Sequence, residues 1–277
     1  MLNYNGELLF EENIKLNYQN RGFKYGDAIF ETVKVLNKKI IFWEDHYFRL
    51  MASMRMLRMK IPMSFTLEFL EKEILKTVEV QDKNTSYRVR LTVYRKDGGL
   101  FLPTSNKVDY LIEVSINNYE KNNNYKIDIY KDFYNYSGFL STIKTTNRMI
   151  NTLASIFANE NDLDNCVLIN EKKGIVEAIH GNIFLIKGNN IVTPSLSEGC
   201  INGVVRKILI TYFKNTDKYT IKETKISPFE IQKYDEVFIT NSIIGVQPVT
   251  NYKKKNFKTV LGEELAKKLE ELEIIAS

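Results

Sequence analysis

The chain has 277 residues, 44% of them hydrophobic and 26% charged, with 39 basic and 34 acidic side chains and a formal net charge of +5. That length is comfortable for two domains with separate cores, and the composition is that of an ordinary globular protein, which excludes a disordered chain. Lys and Glu interleave along stretches such as Glu68 to Lys76, so the excess positive charge reads as a solvated surface; no nucleic acid is expected as a partner.

In chain order, Ala28 to Leu36 (AIFETVKVL) is rich in β-branched and aromatic residues and predicts a strand, followed by a tight turn at Asn37-Lys38 and a second strand over Lys39 to Trp43. Glu44 to Met59 carries Leu50, Met54 and Leu57 on one stripe and predicts a helix, with another from Phe65 to Val78. Strands are predicted over Tyr87 to Arg95 and Val108 to Ile116, with the loop KDGGLFLPTSN between them. The polar, asparagine-rich stretch NNYEKNNN then marks an interdomain linker at 117–124. This divides the chain into an N-terminal domain over 1–116 and a C-terminal domain over 125–277. The second domain begins with a strand at Lys126 to Tyr130. A helix follows Lys144, with Met149, Ile150, Leu153, Ile156 and Phe157 on one face. Short strands are predicted at Cys166 to Asn170, Asn182 to Lys187, Asn190 to Thr193 and Glu236 to Thr240, and helices at Gly203 to Phe213 and at the C-terminus. Ser227-Pro228-Phe229-Glu230 has the pattern of a capping box with Pro in the first turn. Strands and helices mix in both halves, which is an α+β chain.

No run of about 18 apolar residues is long enough for a membrane span. The N-terminus shows no secretion signal, and two cysteines, Cys166 and Cys200, form no disulfide framework, so a cytoplasmic protein is expected. Only His46 and His180 are available as histidine ligands, at no recognisable metal spacing, so no metal is expected. Nucleophile-elbow, dinucleotide and phosphate-loop motifs are absent. Elimination favours lysine or carboxylate chemistry. Lys144 sits between a small apolar run and a helix, where desolvation would free its amine to attack a carbonyl; a surface lysine is the bland alternative. Glu177 lies between apolar runs in KKGIVEAIHGNIFLI and suits either a buried partner for an aromatic ring nitrogen or an outward-facing strand position. Gly203-Val204-Val205 opens a helix whose amides suit a phosphate. Asn241 and Ser242 follow a strand with short hydrogen-bonding side chains, and Arg49 on WEDHYFRL suits two-pronged phosphate binding. Each of the last three is equally a helix start, a turn, or a solvated arginine.

Six segments occur in one order: RGFKYGDAIFETVKV, HYFRL, IKTTNRM, VEAIHGNIF, VTPSLSEGCINGVVR and EVFITNSIIGVQPV. From about Asn17 to Val249 they resemble the fold-type IV pyridoxal-phosphate enzymes, which comprise branched-chain aminotransferases, D-amino acid aminotransferases and 4-amino-4-deoxychorismate lyase. The resemblance implies a two-domain α+β fold with a smaller N-terminal α/β domain and a larger, β-barrel-like cofactor domain. It implies pyridoxal 5'-phosphate held as a Schiff base on Lys144, which also shuttles the proton. Glu177 would pair with the pyridine nitrogen. Arg49, Gly203, the backbone of Val204 and Val205, Asn241 and Ser242 would hold the phosphate. Phe30 and Arg95 would meet a small amino substrate. A homodimer with active sites between the domains, and a loop contributed by the partner, is also implied.

GCINGVVR and TNSIIGVQPV are more similar to the lyase than to the transaminases, and Met149 stands where branched-chain enzymes carry a Tyr. Leu100 stands where a lyase commonly has an Arg after the Gly pair, so Arg88, Arg90 or Arg95 would have to supply the cation. The expected reaction is release of p-aminobenzoate and pyruvate from aminodeoxychorismate, with branched-chain or D-amino acid transamination as the alternative. A nucleic-acid-binding protein, motivated by the pI of 8.9, and a catalytically silent cofactor binder are the competitors from other classes.

Overall fold

A computed structural model of the chain describes residues 1–81 and 84–275. The chain forms two compact units. The first comprises Met1–Asn118, Lys144–Asn147 and the chain end from Glu273, and the second Tyr119–Ile143 and Arg148–Leu272.

The first unit is a six-stranded antiparallel sheet with helices on one face. Its elements are β1 (Leu2–Tyr4), β2 (Glu7–Leu9), α1 (Arg21–Tyr25), β3 (Ala28–Leu36), β4 (Lys39–Ile40), α2 (Trp43–Met56), α3 (Leu67–Glu79), β5 (Ser86–Arg95) and β6 (Val108–Ile116), and the strands lie in the order β2-β1-β6-β5-β3-β4. Alternation decides which residues face inward. Ile29, Glu31, Val33 and Val35 of β3 are buried, together with Val89, Leu91 and Val93 of β5 and with Leu50, Met54, Leu70 and Ile74 of the helices. Each of these apolar side chains contributes about 1.5–3 kcal/mol by leaving water. Phe30, Thr32 and Lys34, with Arg88, Arg90 and Thr92 opposite them, occupy the other, more open face. The expected strand reaching Trp43 stops at Ile40, because Trp43 is already the first residue of α2. Helix α2 ends three residues before Met59, where Arg58 takes φ +54° and turns the chain.

The second unit holds β7 (Lys126–Ile129), α4 (Met149–Glu160), β8 (Asn165–Ile169), β9 (Ile175–Ala178), β10 (Asn182–Lys187), β11 (Asn190–Pro194), α5 (Val204–Lys214), β12 (Thr220–Thr224), β13 (Glu236–Asn241), β14 (Gly245–Val249), β15 (Asn251–Tyr252), β16 (Lys255–Asn256) and α6 (Val260–Ile275). Its strands form two five-stranded sheets, β12-β11-β10-β13-β14 and β16-β15-β7-β8-β9. One core joins them, with Ile127, Val167 and Ile175 from the second sheet against Ile183, Leu185, Val237 and Ile239 from the first. Helix α4 covers β8 through Ala154, Ala158, Cys166 and Leu168. The predicted capping box is present at Ser227 and Glu230, but it opens a six-residue 3-10 helix.

Two boundaries differ from the sequence expectation. The segment from Tyr119 is anchored to the second unit, because buried Gln247 accepts from the Tyr119 hydroxyl at 2.5 Å and donates to the Asn122 carbonyl at 2.8 Å. Lys144–Asn147 belong to the first unit, through backbone pairing with β3 described below. No helix among the described residues is long and apolar enough to cross a membrane.

Candidate active site

Lys144 is positioned by strand-like pairing outside any strand. The Phe30 amide donates to the Lys144 carbonyl at 3.0 Å and the Thr146 amide donates to the Ala28 carbonyl at 3.0 Å, which forms a bridge between Ile29 and Thr145. Gly26 makes this approach sterically feasible: it has φ +61°, and a Cβ there would fall 2.0 Å from Asn147 Oδ1. As a result the Lys144 Nζ lies 4.5 Å from the centre of the Phe30 ring. The Arg90 guanidinium lies 3.8 Å from the centre of the same ring. Arg90 Nε donates to the Thr92 hydroxyl at 3.2 Å and is 3.7 Å from the Glu113 carboxylate, but its two terminal nitrogens have no protein partner among the described residues. An amine, an aromatic surface and a forked cation therefore converge at Phe30.

On the opposite face of β3, Glu31 binds Arg49 with both oxygens. Arg49 Nε donates to Oε1 at 2.8 Å and Nη2 to Oε2 at 2.5 Å, while His46 Nδ1 lies 2.8 Å from Oε2. Burial alone would raise the Glu31 pKa, but the Arg49 charge, then hydrogen bonds from Arg49 and His46, hold it down to about 2. Burial lowers the His46 pKa against the pull of Glu31, so the ring is neutral near pH 7 with its proton on Nδ1, and Nε2 is buried without a partner. Arg49, midway along α2, is thus held rigidly against β3.

Arg95 occupies a different place from the one expected of a substrate contact. Its residue is 6% exposed, and all its nitrogens are committed: Nε to Asp27 at 2.9 Å, Nη1 to Asn106 and the Arg58 carbonyl, and Nη2 to the Leu57 carbonyl at 2.7 Å. Asp27 also takes Arg21 at 2.9 Å, and Arg21 grips the Gly98 and Leu100 carbonyls at 3.1 and 2.6 Å. Arg95 therefore pins the end of β5 to the end of α2, and Arg21 fixes the loop that carries Leu100.

In the second unit, Glu177 on β9 is 5% exposed, and its Oε2 accepts from the Ile201 amide at 2.9 Å. Asn182 Nδ2 donates to the Ile201 carbonyl at 2.8 Å. Ile201 is gripped from both sides, which fixes the three-residue lead into α5. No side chain caps α5 at Gly203, and a Cβ on Gly203 would lie 2.1 Å from Asn182 Oδ1. The first amides of that helix, at Val204 and Val205, therefore receive no side-chain cap, the arrangement that suits an anion at a helix start. Thr240 pairs directly with Asn182 across β10 and β13, so the two side chains share a face. The Thr240 hydroxyl is buried with no partner. Asn241, expected at a phosphate, uses its side chain in the turn to β14: Oδ1 accepts from the Ile243 and Ile244 amides at 2.9 Å and Nδ2 donates to the His180 carbonyl at 2.8 Å. The neighbouring Ser242 hydroxyl has no protein partner among the described residues. Burial, then the Glu177 charge, pushes the Cys200 thiol up to about 12, so this cysteine is no nucleophile.

Residues 28–252 match the amino-transferase class IV family. The chain belongs to that family. It is 29% identical over 262 residues to a probable branched-chain-amino-acid aminotransferase of Aquifex aeolicus, which covers 89% of this chain and 82% of that protein. It is 26% identical over 274 residues to an aminodeoxychorismate lyase of Bacillus subtilis, over 95% and 90% of the two chains. In fold it is similar to a branched-chain aminotransferase from Thermoproteus uzoniensis solved with norvaline, with a TM-score of 0.91 at 18% identity over 100% and 95% of the two chains. Membership makes this chain a pyridoxal-phosphate-dependent aminotransferase or lyase of the fold-type IV class, acting on a small-molecule amine.

The residues present fit that cofactor. Unit two offers a buried carboxylate at Glu177, and three residues past its contact at Ile201 it offers an uncapped helix start. The Thr240 hydroxyl is an orphaned buried group on the strand paired with Asn182, and Asn182 Oδ1 occupies the room that a Cβ of Gly203 would take, so that hydroxyl and the uncapped helix start flank the same Asn182 side chain.

Proposed function

We propose that the chain is a pyridoxal-phosphate lyase that releases p-aminobenzoate and pyruvate from 4-amino-4-deoxychorismate, and that it works as a homodimer in the cytoplasm. The observation that carries the reading is the convergence of the Lys144 amine and the unpaired fork of Arg90 on one ring, Phe30. When bound, the cofactor supplies an aldehyde carbon for an amine and a ring that accepts electron density. Lys144 Nζ would be its attachment point and would take up and return the proton at the reacting carbon. Glu177 keeps the ring nitrogen protonated. The Val204 and Val205 amides, with the Thr240 and Ser242 hydroxyls and Arg49, hold the phosphate. Arg90 would take a carboxylate of the substrate through two parallel hydrogen bonds, with Phe30 as the wall between the two cations.

Arg90 supplies the cation that Leu100 cannot, which supports the lyase reading. The dimer is supported by the fixed loop tip, where Leu100, Phe101 and Leu102 are 73%, 89% and 84% exposed, an apolar patch that a partner would cover. A second reading, transamination of branched-chain or D-amino acids, is favoured by the name of the Aquifex relative. The test is to incubate the holoprotein with aminodeoxychorismate and follow p-aminobenzoate and pyruvate, in parallel with leucine or D-alanine plus a keto acid. Product from the first arm alone supports the lyase. Keto acid formation without p-aminobenzoate makes the chain a transaminase.

A further inference from the structure

His46 carries a polar atom that the fold leaves unsatisfied. Its side chain is wholly buried, and Nε2 has no partner among the described residues, while Nδ1 lies 2.8 Å from Glu31 Oε2. A buried polar atom without a partner is destabilising, so packing alone would favour a leucine or phenylalanine at this position. What the imidazole adds is one hydrogen bond at a defined atom. Glu31 is held ionised, so Nδ1 carries the proton and donates it.

The acceptor is shared. Arg49 Nη2 donates to the same Oε2, and Arg49 Nε donates to Oε1. His46 and Arg49 stand about one turn apart on α2, so both reach the same residue of β3. The last torsion of a glutamate side chain is soft. A carboxylate gripped by a guanidinium alone can therefore swing, and the guanidinium swings with it. A further donor, from a ring fixed in the core, removes that freedom. Because the planar guanidinium uses Nε and Nη2 on Glu31, the carboxylate plane also sets the direction of Nη1.

We propose that His46 is a positioning residue for the cofactor's phosphate: by locking the Glu31 carboxylate it aims Arg49, and it acts through Arg49 rather than on the cofactor itself. This rests on the reading of Arg49 as a phosphate contact and adds the group that orients it. Arg49 is then ordered when the chain folds rather than when the cofactor binds, and such preorganisation strengthens affinity. A histidine suits the task because burial holds its pKa down. The neutral ring supplies a donor without placing a second positive charge beside Arg49.

The test compares pyridoxal 5'-phosphate with pyridoxal, which keeps the aldehyde and lacks the phosphate. Dissociation constants of both are read from visible absorbance during reconstitution of the full chain, without turnover. His46→Leu removes the donor and should raise the constant for pyridoxal 5'-phosphate about tenfold, the scale of one hydrogen bond to a charged group, while the constant for pyridoxal moves less than about twofold. His46→Asn, whose amide can donate from nearly the same place as Nδ1, should recover most of the loss. A second measurement needs no variant and so stands even if His46→Leu does not fold. The chain has only two histidines, and the Nδ1 proton of His46 should give a slowly exchanging NMR resonance that shifts with pyridoxal 5'-phosphate and much less with pyridoxal. An unchanged ratio of the two constants in His46→Leu, equal weakening of both, or a resonance indifferent to the phosphate overturns the proposal. Failure of the underlying reading is separately visible: Arg49→Gln would then bind the two cofactor forms in the wild-type ratio.

Discussion

Replacing Glu31 with Gln tests whether β3 holds Arg49 by charge. The side chain keeps its volume but loses its charge, and one of its two contacts with Arg49 becomes an N–H facing an N–H. Glu31 is 1% exposed and the Arg49 side chain 15%, so the remaining guanidinium is left largely desolvated without its counter-ion. Breaking a buried pair from one side costs about 3–5 kcal/mol. The pKa gives an independent figure. A drop from 4.5 to about 2, at about 1.4 kcal/mol per unit, corresponds to about 3 kcal/mol. That contribution has a definite pH dependence. The folded pKa lies below the unfolded one, so on acidification the unfolded chain takes up the proton first. The stabilisation is complete above about pH 4.5 and is lost as pH falls toward 2. Urea unfolding at pH 7 should therefore show Glu31→Gln less stable by about 3 kcal/mol, and at pH 3.5 the gap to wild type should be smaller by at least 1 kcal/mol. A gap under 1 kcal/mol at pH 7, or one that does not shrink with acid, would refute the electrostatic account.

Other consequences can be checked on the same material. Arg90→Gln should raise KM for a carboxylated amine about ten- to a hundredfold, since a charged hydrogen bond is worth about 1.5–3 kcal/mol, while cofactor affinity stays constant; a parallel loss of cofactor would move Arg90 out of the substrate role. Gly203→Ala drives a methyl against Asn182 Oδ1, so the dissociation constant of pyridoxal phosphate, measured by reconstitution, should rise at least about tenfold as the helix start is displaced. An unchanged constant would place the phosphate elsewhere.

The elements with strong periodicity were legible from sequence. The strand at Ala28 to Leu36, the paired strand at Val108 to Ile116 and the helix after Lys144 stand where residue composition and the 3.6-residue stripe put them. Two- and three-residue strands such as β4 and β15 carry too few residues for any periodicity, and they form because longer neighbours offer them an edge. Lys144 was legible as a candidate, but its means of support was not. It lies in no strand, and its carbonyl accepts from the Phe30 amide beside an isolated antiparallel bridge between Ile29 and Thr145, a long-range pairing without local signal. Glu31 carried a readable sign, an acid at an inward position between Ile29 and Val33. Its partners Arg49 and His46 come from a helix whose docking the sequence does not state. Arg95 and Asn241 show the converse situation. Asn241 serves backbone groups of its turn, and Arg95 binds the Leu57 and Arg58 carbonyls together with the Asp27 and Asn106 side chains, demands invisible until the turns are built. Thr240 was passed over because a threonine at the end of an apolar strand resembles any β-branched core residue, and only its unpartnered hydroxyl distinguishes it.

The account depends above all on Lys144 as the cofactor's attachment point. Reduction of the holoprotein with borohydride, followed by proteolysis and mass spectrometry, reads this directly. One modified peptide is predicted, containing Lys144 within IKTTNRM, with the visible band bleached in proportion to the label, and Lys144→Ala should take up no label while retaining its unfolding transition. Label on any other lysine, or undiminished label in Lys144→Ala, would contradict the assignment.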